Sequence, residues 1–384
     1  MTPSIAQLVM TRRVIVCGGS GGVGKTTTAT AIAIAAAQRG RKVLALTVDP
    51  SKRLAQTLGV DRNAAAPTSI SAERMAEAGI HAPGSLEAWM LDPSVVADRL
   101  IERLVTDTTE AHRLKGNRIY RQLSRLVAGT QEYMAMEALY RFLEEGRYDL
   151  IVLDTPPSRN ALDFLLGPGR VAAFADGRIF QLFLPSDQQT GFFRAAAASI
   201  LTRVNNAIFG EQTYGELQEF FATFANIIVG INRNASQMLK TLQNPDEVAF
   251  LLVSSPAAEA MVEAFYFRRK CLEMELPFRG FVLNRSEARP DARVMPEVSA
   301  FGEVDPVLGS ALAKLQRLAT LELAQVERDR KLMDELTTEL GEDAVALAVP
   351  ALANGAHDME GLMHIATILM EEPVPVTEHP VPAA

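Results

Sequence analysis

Cysteine is nearly absent: the 384 residues contain two, Cys17 and Cys271. That excludes a disulfide framework and a CxxC metal clamp. Each thiol sits in an apolar pattern that suits a buried side chain better than a ligand. The five histidines, His81, His112, His357, His364 and His379, share no metal-ligand spacing. No apolar run reaches the length of a membrane-spanning helix. The opening segment, MTPSIAQLVMTRR, has no charged start followed by a long apolar stretch, so no signal peptide is expected. Positive charge is in the minority, 38 basic against 46 acidic residues for a net charge of −8, which argues against a general nucleic-acid surface. Nothing repeats at a fixed period. These absences point to a globular protein of a reducing compartment, expected in the cytoplasm, with no nucleic-acid partner and no stable membrane insertion.

What is present is an alternation of short β-type runs with helical patterns, the mark of a parallel sheet covered on both faces. The candidate strands are 12–18, 42–48, 86–91, 149–154, 248–254, 278–284 and 345–349. The alanine-rich segment 26–38 reads as a helix closed by Gly40. Two helix-rich regions interrupt the rhythm: an arm at about 93–145 and an insertion at about 167–245. Residues 306–340 form a long helical pattern rich in leucine and charge. The expected fold is therefore α/β, a mostly parallel sheet flanked by helices with a helical subdomain inserted. One domain is expected over 1–371, followed by a proline-rich tail, 372–384, of disordered composition.

The most informative stretch joins the first strand to the first of these helices. Val14-Ile15-Val16-Cys17 feeds a loop reading Gly19-Ser20-Gly21-Gly22-Val23-Gly24-Lys25-Thr26, the phosphate-binding P-loop pattern in its proper strand and helix context. Glycine-rich backbone folds around an anion with several N–H groups pointing inward, and the helix adds its positive end. Gly21, Gly22, Val23, Gly24, Lys25, Thr26 and Thr27 are the expected binding residues. Lys25 would reach the β- and γ-phosphates, and Thr26 would hold Mg²⁺. These features define an NTPase-type site.

Two carboxylates sharpen the reading. The strand 42–48 ends at Asp49, beside the ligand crevice of an open α/β sheet. Asp49 is placed to orient an attacking water, or to cap a helix starting near Ser51. The run Leu150-Ile151-Val152-Leu153 ends at Asp154, the expected Mg²⁺-side carboxylate. It leads into Thr155-Pro156-Pro157-Ser158-Arg159-Asn160, a segment that a γ-phosphate can order and hydrolysis release, or simply a structural turn.

GGVGKTT, VDPSKRL, AGTQEYMAMEAL and DTPPSRNALDFL together resemble the ArsA-type ATPases. These include bacterial arsenical-pump ATPases and the guided-entry ATPases that deliver tail-anchored membrane proteins. The resemblance extends in order through the helical insertion to Phe281-Val282-Leu283-Asn284-Arg285. It implies a Mg²⁺·ATP-dependent dimer with nucleotide near the interface. By position it makes Asp49 the water-orienting switch residue, Thr26 the Mg²⁺ ligand, Asp154 its neighbour through water, and Asn284 a reader of the adenine edge. Taken alone, Asn284 would be a turn residue. Pro350 and its neighbours are implied as cover for the base.

The pattern breaks at Ser20, where the family usually carries a second lysine that reaches across the dimer. A serine supplies no charge in trans, and such a cation is worth orders of magnitude in phosphoryl transfer. Three replacements stay open: Lys52 or Arg53, Arg159, or a lysine-bearing ATPase subunit as heterodimer partner. Paired thiols for arsenite are lacking, as is a second ATPase half, so an arsenite-pump role is the weaker reading. A positioning ATPase of the ParA/MinD type shares the fold but is weakened by Ser20 and the proline-rich tail. Met134, Met136, Phe180, Phe183, Phe192, Phe193, Phe220 and Phe221 are either ordinary helical core or the lining of a groove for a client's apolar helix. The expected function is an ATPase, ATP- and Mg²⁺-dependent, whose nucleotide state controls a protein client. The rival is a slow or non-hydrolysing scaffold subunit of a hetero-oligomer.

Overall fold

Alternation along the strands decides the architecture, because successive side chains of a strand point to opposite faces. The computed structural model describes residues 4–48, 63–77, 84–105, 131–156, 236–288, 305–340, 344–352 and 358–371, with isolated residues between these stretches. Its strands are β1 (Val14–Gly18), β2 (Lys42–Thr47), β3 (Thr68–Ser69), β4 (Ser85–Met90), β5 (Leu150–Asp154), β6 (Val248–Ser254), β7 (Phe278–Ser286) and β8 (Val345–Pro350). The helices named here are α1 (Ile5–Thr11), α2 (Lys25–Gln38), α3 (Ala72–Glu77), α4 (Pro93–Leu104), α5 (Gln131–Glu145), α6 (Ala258–Glu273), α7 (Pro306–Leu340) and α8 (Met359–Met370).

The strands form one sheet in the order β3-β4-β2-β5-β1-β6-β7-β8. β3 is antiparallel to β4; the other pairings are parallel. Val14, Val16, Leu44, Leu46, Ile151 and Leu153 face one core, shared with α4, α5, α6 and α7. Ile15, Cys17, Val43, Ala45, Leu150 and Val152 face the other, shared with α1, α2, α3 and α8. Each strand thus serves two cores, and this explains why β1, β5 and β6 are buried along their whole length. The structure is the expected α/β layering, with most strand bounds shifted by a residue or two and with α1 and β3 added. The first strand begins at Val14 rather than Arg12, and β3 is a two-residue edge strand that the sequence pattern does not announce.

α2 explains its own composition. It lies between the sheet and α8, and Ala31 to Ala37 are fully buried. Small side chains let it approach both layers, so polarity does not mark one face. It ends as expected: Gly40 adopts φ +88, and Gly40 N–H and Arg41 N–H donate to the Ala37 and Ala36 carbonyls at 3.0 and 3.2 Å, a Schellman closure. α7 runs for 35 residues. It docks on the sheet through Leu336 and Leu340, while Leu315, Leu318 and Leu321 nearer its start are exposed.

The arm expected at 93–145 contains α4 and α5, joined by a partly buried ion pair. Arg103 donates to Glu137, whose side chain is 5% exposed, and also to Glu144 at 3.1 Å. Met134 and Met136 do not line an open groove. They are 1% and 2% exposed and belong to the core beneath the sheet. Most of the expected insertion, the phenylalanines named above and the tail lie outside the described residues.

Candidate nucleotide site

β1, β5 and β2 end side by side at one edge of the sheet. Cys17, Asp154 and Thr47 stand level across the three strands. The backbone ties these ends together: Thr155 N–H and Oγ1 donate to the Cys17 carbonyl at 3.2 and 2.9 Å, and Val48 N–H donates to the Asp154 carbonyl at 3.2 Å. The loop from β1 to α2 lies over this edge. It turns through three glycines with positive φ, +146 at Gly19, +77 at Gly22 and +96 at Gly24. A Cβ at Gly19 would lie 2.1 Å from the Val253 carbonyl oxygen, whereas one at Gly22 would meet nothing within 4 Å. The loop is therefore pressed onto β6 at its start and open at its tip, where Gly21 and Gly22 are exposed.

Gly24 is the N-cap of α2 and Lys25 its first helical residue. No side chain caps this helix end, so its leading N–H groups remain directed at the loop's concavity, ready for an anion. Lys25 is only 4% exposed, and its Nζ donates to the Ser20 carbonyl at 2.8 Å. The ammonium is thus folded back along the loop that the phosphates would enter. Ser20, the position of the missing second lysine, contributes its backbone here. Thr27 follows on the first turn, partly exposed.

Thr26 Oγ1 donates to Asp154 Oδ2 at 2.6 Å, and Thr47 Oγ1 donates to the same oxygen at 2.8 Å. Asp154 is 2% exposed. A buried carboxylate held by two hydroxyls beside a helix N-terminus offers hard oxygen donors, the set that suits Mg²⁺. Among the described residues no group of three or more His, Cys, Asp or Glu is clustered for a metal. The structure brings Thr26 and Asp154, the two residues expected beside Mg²⁺, into contact, and adds Thr47, which the sequence pattern does not single out. Its signal was available, two residues before Asp49 on a strand adjacent to β5.

Cys17 stays outside the chemistry. Burial, reinforced by the Asp154 charge and opposed by Lys25, pushes its thiol pKa well up, so it remains protonated.

Asn284 and Pro350 lie at the ends of β7 and β8, on the same edge as the loop. Asn284 is level with Val349, and Pro350 with Ser286. Asn284 Nδ2 donates to the Val23 carbonyl of the P-loop at 2.7 Å. Asp49, Lys52, Arg53 and Arg159 lie outside the described residues, so the structure places neither the expected water-orienting group nor the candidate replacement cations.

A family model described as anion-transporting ATPase, ArsA type, matches residues 12–285, from two residues before the P-loop strand to the residue after Asn284. The chain belongs to the ArsA-type ATPase family. Among curated relatives it is 31% identical to ATPase ASNA1 homolog 1 of Paramecium tetraurelia over 158 residues, 41% of this chain and 44% of the relative. It is 23% identical to ATPase get3 of Schizosaccharomyces pombe over 274 residues, 71% and 72% of the two chains. A putative arsenical pump-driving ATPase 1 of Aquifex aeolicus is 24% identical over 261 residues, 66% and 58% of the two chains. The chain spans less than half the length of the Paramecium relatives it matches. No described helix is long and apolar enough to cross a membrane.

Proposed function

We propose that this ArsA-type family member binds ATP with Mg²⁺ and hydrolyses it, and that its nucleotide state governs the binding of a protein partner. The observation that carries the reading is the buried Asp154 carboxylate joined to Thr26 at 2.6 Å, directly below the P-loop. The concave backbone would grip the β- and γ-phosphates, with Lys25 swinging from the Ser20 carbonyl onto them. Thr26 and Asp154 would hold Mg²⁺, which when bound neutralises charge on the phosphate oxygens. Asp49 would orient the water. Phosphoryl transfer asks the protein mainly for such positioning and electrostatic support.

The active form is proposed as a dimer, of two copies or of this chain with a related ATPase subunit. ATP would close the subunits, and hydrolysis would release them. The segments after Asp49 and Asp154 would pass the nucleotide state to a client-binding surface. The names of the get3 and arsenical-pump relatives support the ATPase part of this reading; an apolar helix is the proposed class of client. The chain would work in the cytoplasm.

Ser20 favours a second reading. With no lysine at that position, hydrolysis by this chain alone would be slow, and the protein would act as a nucleotide-dependent scaffold in a hetero-oligomer. Single-turnover hydrolysis of ATP by the purified chain, alone and with candidate ATPase subunits, separates the two. The first reading expects turnover that Lys25→Ala and Asp49→Asn abolish. Turnover that appears only with a partner subunit establishes the second. Full activity in both variants refutes the site.

A further inference from the structure

The carboxamide of Asn284 is aimed at the backbone of the P-loop. Its Nδ2 donates to the Val23 carbonyl at 2.7 Å, and the residue is 7% exposed. In a planar trans peptide the carbonyl and the following N–H point in opposite directions. Holding the Val23 oxygen therefore fixes the direction of the Gly24 N–H, one of the amides that a helix N-terminus presents to an anion. The same contact demands the glycine: a Cβ at Gly24 would lie 2.1 Å from Asn284 Nδ2.

Asn284 is itself held from behind. The pairing of β7 with β8 shifts between Asn284 and Ser286, and the intervening Arg285 takes φ +58. Immediately beyond, the buried Asp329 of α7 accepts from Glu287 N–H at 2.8 Å and Ser286 Oγ at 3.4 Å. A chain of short contacts thus runs from α7, through the end of β7, to the loop.

We propose that Asn284 is a positioning residue for the P-loop. Its amide locks the Val23–Gly24 peptide in the orientation that receives phosphate, and so sets the affinity for the polyphosphate itself, apart from any contact with a base. The proposal rests on the nucleotide-binding reading above. It differs from base recognition in one consequence. A side chain that touches only the base leaves a base-free polyphosphate unaffected. A strut beneath the loop weakens that ligand as much as it weakens ATP.

The test uses the full chain with Mg²⁺ and measures displacement of a fluorescent ATP analogue by ATP and by inorganic tripolyphosphate. The variants are Asn284→Ala, which removes the strut, and Asn284→Asp, which keeps its shape but turns an oxygen toward the Val23 carbonyl. Both ligands should weaken by the same factor, on the order of tenfold, as expected when a buried carbonyl loses its donor. The ratio of the two affinities should stay within about a factor of three of the original. Unaltered tripolyphosphate affinity beside weakened ATP affinity overturns the proposal. So does a wild type that holds ATP but not tripolyphosphate. If Asn284→Ala does not fold, the isosteric Asn284→Asp decides. A folded wild type that binds neither ligand nor the analogue refutes the nucleotide reading instead.

Discussion

Thr26, Thr47 and Asp154 show how much of the site's chemistry rests on single side chains. Two hydroxyls converge on one carboxylate oxygen, which orients the carboxylate and keeps its charge in a place otherwise closed to water. Asp154→Asn retains the shape but removes the charge. It should lower ATP turnover by at least about a hundredfold, read in a phosphate-release assay, while the fold, followed by circular dichroism, persists. Turnover within a few-fold of wild type would remove Asp154 from the mechanism. The two cysteines make the opposite kind of prediction. Both are fully buried, and burial raises both thiol pKa values above the ordinary 9.0. Neither should react with an alkylating reagent at pH 8 until the chain is unfolded, as mass spectrometry would report. Because each thiol holds its proton more tightly folded than unfolded, this contribution to stability is complete below pH 9.0 and declines as the pH rises above it.

Among the elements, α7 and β7 carry the clearest mechanical link. Asp329 is 1% exposed and accepts the Glu287 N–H at 2.8 Å. Asp329→Ala leaves that donor unmet and should cost about 1–3 kcal/mol, seen as a lower denaturant midpoint with an unchanged slope. A change within a few tenths would mean that α7 is held by its leucines alone. Much of this level was legible in the sequence. The apolar runs of β1, β2 and β5 to β8 were visible because strands buried on both faces are continuously hydrophobic. Residues 306–340 announced a helix by pattern and form one over those same bounds. The P-loop was legible because its chemistry is local. Other features were not. β3 is two residues long and owes its existence to its pairing with β4. α1 is marked only by the Ser4/Gln7 capping box, a short-range signal easily passed over. The Asn284 contact joins residues 261 positions apart, and the convergence of Thr47 on Asp154 depends on strand register. No window along the chain reveals either one. Met134 and Met136 carry the reverse lesson, since soft apolar side chains on a helix serve a core as readily as a client groove.

At the scale of the whole molecule, one sheet gathers the ends of β1, β2, β5, β7 and β8 along a single edge, so the loop, the two threonines, Asp154 and Asn284 lie together at the edge where open parallel sheets bind ligands. The proposed closure of two subunits over ATP should double the mass seen by analytical ultracentrifugation when Mg²⁺·ATP is added to the Asp49→Asn protein, in which the proposed role of Asp49 predicts blocked hydrolysis. An unchanged monomer mass for this chain, with or without candidate ATPase subunits, would count against the proposed dimer cycle. The size of any such motion is limited by the difference in nucleotide affinity between open and closed forms. Everything else depends on the grip of the loop on a triphosphate. Calorimetric titration of the folded full chain with Mg²⁺·ATP addresses it directly. Saturable uptake by the wild type, weakened at least about tenfold by Lys25→Ala, is the expected result; no uptake by well-folded wild-type protein would contradict it.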